Sequence, residues 1–161
     1  MRIRLHKSSH ERHVLEVQRA DGTTSRHELE TRSCLRHDLM HWAFERRAGL
    51  GDSFYGKVER GIDLAGLRMA APMPAMAPEP DELLATEILV GMFQGAIKFN
   101  AEPAAFVAKA REMLELQGHA VPAFLSPELV RDVLADYRRL VGQWESLRPG
   151  GVLELEGSFA K

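Results

Sequence analysis

The stretch Met1-Arg2-Ile3-Arg4-Leu5-His6-Lys7 decides the fold class. Ile3 and Leu5 alternate with Arg2, Arg4 and His6, the period-2 pattern of a strand with one face buried and one in water. Leu15 and Val17 repeat the pattern against Glu16 and Gln18. Ala20-Asp21-Gly22-Thr23 then supplies a hairpin turn, because tight primed turns need positive φ and Asp-Gly tolerates it, and a third strand is expected over residues 24–29. At the far end, after Pro149-Gly150-Gly151, residues 152–156 alternate again, with Leu153 and Leu155 facing inward and Glu154 and Glu156 outward. A strand there needs a partner, and the outward arginines of the first strand carry the opposite charge. The two ends of the chain are therefore expected to share one sheet.

Helices fill the interval. Thr31 or Ser33 is placed to cap the first, which runs through Ala48 and stops at Gly49. A less regular helical segment is expected over residues 53–67. Residues 69–80 hold four prolines and three methionines and form an internal loop. Leu83, Leu84, Ile88, Leu89, Met92, Phe93, Ala96 and Ile97 then follow helical spacing and predict a helix over residues 81–99, with Gly91 and Gly95 read as a close helix contact. Pro103 opens another, ending near Gly118. Ser126 caps a last helix with Pro127 in its first position and a stripe from Leu129 to Trp144. The expectation is one α+β domain over residues 1–161: a small antiparallel sheet, built from the N-terminal strands plus the C-terminal strand, packed with four to five helices.

Composition narrows the functional classes. The chain has 161 residues, 45% of them hydrophobic and 27% charged, which suits a globular protein with a core. No apolar run approaches the roughly 18 to 20 residues that span a membrane, and the charged N-terminus does not resemble a secretory signal. These features point to the cytoplasm. Residues 1–60 carry twelve Lys/Arg against nine Asp/Glu, too weak an excess for a nucleic-acid binder. Cys34 is the sole cysteine, so one chain has no internal disulfide and no thiolate cluster; it is read as a buried apolar residue, and any metal must be held by His, Asp or Glu.

One segment carries chemistry. Six of the seven histidines lie in residues 1–60, and His37-Asp38-Leu39-Met40-His41, with Glu45 beyond, falls on the first helix. Steps of about 100° put His37, Asp38, His41 and Glu45 in one sector. Two histidines one turn apart direct ring nitrogens at a common point, which suits a divalent metal such as zinc at about 2.1 Å. Glu45 lies too far along the axis to join them and fits better as an acceptor for the His41 ring N–H, while Asp38 is the candidate base or third ligand. Other candidate third ligands are Glu87, Glu115, His119 and Asp136. The same sector also reads as solvated helix surface, with His41 and Glu45 forming an i,i+4 pair of about 0.2–0.5 kcal/mol.

The five-residue segment resembles the zincin metalloprotease helix His-Glu-x-x-His, with Asp38 in the place of that family's general base. It is also similar, in histidine spacing alone, to the DinB-like metal-binding bundles. More broadly, Leu29 to Ser33 leading into the His37–Glu45 helix, then Gly49-Leu50, Phe54-Tyr55-Gly56 and Leu153 to Glu156, resembles a group of uncharacterised bacterial proteins with a β hairpin before a His-Asp-x-x-His helix. That resemblance implies a bacterial cytoplasmic protein and no particular activity. Two functions follow. One is a non-catalytic interaction or regulatory domain, with a homodimer as its candidate assembly, solvated histidines and no cofactor. The other is a metal-dependent, hydrolase-like enzyme with the metal on His37 and His41.

Overall fold

The computed structural model describes residues 1–62 and 82–159. The expected loop over residues 69–80 and the last five residues, 63–67, of the expected helix over residues 53–67 lie outside the described residues.

Strands β1 (Arg2–Lys7), β2 (Arg12–Gln18), β3 (Thr24–Glu30) and β4 (Val152–Glu156) form one antiparallel sheet in the order β3-β2-β1-β4. The two chain ends pair in register, Ile3 opposite Leu155 and Leu5 opposite Leu153. The hairpin turn bends at Gly22, whose φ of +85° is the left-handed conformation that glycine enters without a Cβ penalty. On the outer face Arg4 pairs with Glu154 at 2.8 Å and Glu16 at 2.7 Å, Arg2 pairs with Glu156, and Arg12 with Glu28 at 2.8 Å. Such exposed pairs fix register more than they add stability.

The inner face carries Ile3, Leu5, Leu15, Val17, Leu153 and Leu155, all buried. Lys7 shares that face. Its Nζ donates to the carbonyls of Trp144 and Leu147 at 3.2 and 2.8 Å, placing a cation at a helix C-terminus.

Helices α1 (Arg36–Ala48), α2 (Phe54–Glu59), α3 (Glu82–Phe99), α4 (Pro103–Leu116) and α5 (Pro127–Ser146) follow the sheet in chain order. Helix α5 starts as expected, with Ser126 Oγ accepting from the Leu129 N–H and Pro127 in the first turn. Helix α1 packs against both α5 and α3 and is buried at every position from Asp38 to Glu45. Gly49, at φ +66°, closes it by donating to the Glu45 carbonyl.

Four local expectations are corrected. Neither Thr31 nor Ser33 caps α1: β3 runs through Glu30 into a π-helical turn, Thr31–Leu35, while Thr31 Oγ1 meets His13 Nδ1 at 3.2 Å and Ser33 Oγ donates to Glu30 at 2.6 Å. With both hydroxyls engaged elsewhere, the chain enters the helix through a wider turn. Helix α2 stops at Glu59, ahead of Gly61 at φ +91°. A Cβ on Gly91 or Gly95 would meet nothing within 4 Å, so these glycines mark no close helix contact. Cys34 is half-buried, not enclosed.

Candidate metal centre

The face of α1 read as solvated surface is enclosed. Asp38, His41 and Glu45 have no solvent exposure, and polar groups so placed need partners. They find them because α2 and α3 close over α1 from two sides.

Glu45 is the inner anchor. Its Oε1 lies 2.8 Å from His41 Nδ1 and its Oε2 accepts from the Tyr55 backbone N–H at 2.8 Å. Both oxygens meet donors, so the carboxylate form suits the site. Burial pushes the Glu45 carboxyl up, against the opposing pull of His41 and the Tyr55 N–H. With Nδ1–H given to Glu45, the His41 tautomer is set and Nε2 points away from Glu45.

That Nε2 faces two further groups. His37 Nε2 lies 3.1 Å away, one turn back on α1, and Glu87 Oε1 on α3 lies 3.2 Å away. The Glu87 Oε2 is 3.5 Å from His37 Nε2. Four donors at 2.0–2.1 Å around a tetrahedral metal stand roughly 3.3 Å apart; here each Glu87 oxygen faces a different histidine, and with one donor atom from each residue the three atoms lie within 4.8 Å of one another. Among the described residues, His37, His41 and Glu87 are the one group of three His, Cys, Asp or Glu side chains close enough to share an ion.

The electrostatics of the metal-free site match the geometry. Burial opposes charge on His41, but Glu45 and Glu87 outweigh it and hold the imidazole up at about 9. Burial likewise opposes charge on Glu87, yet His37 and His41 bring its carboxyl down to about 2. Glu45 and Glu87 thus favour the charged form of His41.

The candidates named from sequence separate clearly. His37 and His41 come together, Glu45 sits behind His41, and of the four third-ligand candidates Glu87 alone joins the group. Asp38 is buried on α1 and stands outside it; the Asp38 backbone carbonyl accepts from the Tyr55 hydroxyl at 3.2 Å. Asp136 pairs with Arg47 at 2.6 Å, and Glu115 is exposed on α4. Sequence reasoning missed the segment 53–55, which supplies the Tyr55 N–H to Glu45 and the Phe54 ring, centred 5.1 Å from the His41 ring. Its signal was a run of aromatic residues directly after a serine, read only as a helix start.

No family model, curated protein or solved structure matches this chain.

Proposed function

We propose that this protein binds one divalent transition metal, zinc by preference of its donor set, through His37 Nε2, His41 Nε2 and the Glu87 carboxylate, and acts as a metal-dependent, hydrolase-like enzyme. The observation that carries this reading is the convergence of His37, His41 and Glu87 from two helices, with one donor atom of each within 4.8 Å of the others and the buried histidine oriented from behind by Glu45. Mixed imidazole and carboxylate donors suit zinc, manganese, iron or nickel, and a His₂Glu set with a vacant position is a common catalytic zinc arrangement. A metal there would polarise a bound water and lower its pKa toward about 7. A cytoplasmic setting belongs to the same proposal; among the described residues no helix is long and apolar enough to cross a membrane.

The alternative, a non-catalytic interaction domain, draws on Phe99 and Leu116, which are 76% and 80% exposed. They stand at the C-terminal ends of α3 and α4, and isolated exposed apolar side chains are ordinary on protein surfaces, so this reading ranks second.

Elemental analysis of untagged protein, followed by calorimetric titration of the stripped protein with zinc, cobalt and manganese, tests the metal reading. About one equivalent is expected, abolished in Glu87→Gln and in His37→Ala. Absence of saturable binding to correctly folded wild-type protein would rule the centre out.

A further inference from the structure

We infer that the metal keeps one coordination position facing solvent, and that the group displacing water there is an uncharged carbonyl, of an ester or amide, rather than a phosphate or carboxylate anion. This rests on the metal reading above and goes beyond it to the substrate class.

The open position follows from donor count and burial. A structural zinc is enclosed by four protein donors, whereas the group here stops at three among the described residues. Burial is uneven across those three. His41 is fully enclosed and backed by the Phe54 ring, while His37 and Glu87 are 34% and 40% exposed. The solvent side of the donor triangle therefore lies between α1 and α3, and a fourth ligand enters from there. Along α3, Leu83 and Leu84 precede Glu87 by one turn and Gly91 follows it by one turn, on the same helix face. A side chain on Gly91 would project into open space, leaving room for a ligand beside Glu87.

The preference for an uncharged group follows from the charge sum. A divalent ion with two neutral imidazoles and Glu87 carries a net +1, and Glu45, one hydrogen bond behind His41, cancels it. Phosphate sites add Arg or Lys to the metal. Here the arginines flanking the α1 site residues are engaged elsewhere, Arg36 with Glu145, Arg46 with the Glu156 carbonyl and Arg47 with Asp136, and Lys57 and Arg60 pair with Asp52. An anion would gain little at a centre whose charges sum to zero. A metal held by His37, His41 and Glu87 would lower the pKa of a water there, so that the water could give a proton to solvent and its oxygen add to the carbonyl carbon. The acyl C–O or C–N bond then breaks, and the leaving alcohol or amine takes a proton, so that one water is consumed per bond cleaved.

The full chain loaded with cobalt(II) gives a readout independent of turnover. Acetamide, uncharged at neutral pH and bearing a carbonyl without a chelating group, should shift the visible cobalt spectrum saturably and at least about tenfold more tightly than inorganic phosphate. Gly91→Leu should weaken that shift while leaving cobalt affinity unchanged. The zinc form should hydrolyse p-nitrophenyl acetate at least about tenfold faster than the metal-free form and leave p-nitrophenyl phosphate intact. One equivalent of cobalt with a spectrum that neither probe moves would overturn the open position and leave the metal site standing. Tighter binding of phosphate would overturn the uncharged substrate class. Failure to bind cobalt at all would remove the metal centre and this inference together.

Discussion

Glu45 and His41, both without solvent exposure, meet at 2.8 Å between Oε1 and Nδ1, and the second Glu45 oxygen holds the Tyr55 N–H at 2.8 Å. One carboxylate thus joins the donor histidine to the start of α2. Glu45→Gln leaves one amide oxygen for two N–H groups and turns an NH₂ toward the other. We expect a loss of about 1–3 kcal/mol in urea unfolding, from one buried polar group left unsatisfied. Zinc affinity should fall about 10–100-fold, as when the outer acceptor of a metal histidine is removed. Unchanged zinc affinity in a folded Glu45→Gln protein would show that the contact is structural only.

The two histidines should behave differently when truncated. His37 is 34% exposed, and its loss leaves no buried charge behind. His37→Ala should unfold within about 0.5 kcal/mol of the stripped wild type while losing zinc binding, the expectation for a surface substitution. His41→Ala strands the buried Glu45 carboxylate and should cost about 3–5 kcal/mol. Urea titrations of both stripped variants make the comparison; equal costs would contradict the inner and outer roles assigned here.

The sheet was legible because its signal is local. Ile3, Leu5, Leu15 and Val17 report burial by alternation alone, and the charges of Arg2 and Arg4 opposite Glu156 and Glu154 identify the partner strand. Helix α5 announced itself through Ser126-Pro127 and a one-sided stripe. Helix α1 hid its environment, because pattern reading places His41, Glu45 and Asp38 in water, whereas here elements far along the chain enclose them and give Glu45 and His41 their partners. Glu87 illustrates the same limit. Spacing placed it on a helix, but the docking of α3 on α1 that distinguishes it from Glu115 or Asp136 is tertiary, and no local period encodes it.

The pH response of the metal-free protein follows from His41 and Glu87. The folded-state pKa of His41, about 9, lies above its ordinary 6.5, so its contribution is fully present below about pH 6.5 and is lost as pH rises through 9. Glu87, at about 2 against an ordinary 4.5, contributes above pH 4.5 and loses that contribution as pH falls toward 2. Burial raises Glu45 as well, so its contribution falls as pH rises above 4.5. Thermal unfolding of stripped protein should therefore weaken from pH 6.5 to 9, and His41→Gln should flatten that slope. Zinc binding at pH 7.5 should release about one proton, the one displaced from His41, seen as a dependence of calorimetric heat on buffer ionisation enthalpy. Heats independent of buffer would mean that His41 is already neutral.

Gly56 offers a test of how far the centre depends on α2. A Cβ built there overlaps the Gly51 carbonyl oxygen, a backbone atom that cannot rotate away. Gly56→Ala must push α2 off the turn at residues 50–53, and overpacking of this kind costs about 1–3 kcal/mol. Displacing α2 also moves the Tyr55 N–H, one residue away, and with it the hydrogen bond that holds Glu45 against His41. The substitution touches none of the three donors, yet zinc affinity should fall together with stability. Calorimetry on the folded fraction separates the two effects. A Gly56→Ala protein that is less stable but binds zinc like wild type would show that Glu45 holds His41 in place without help from α2.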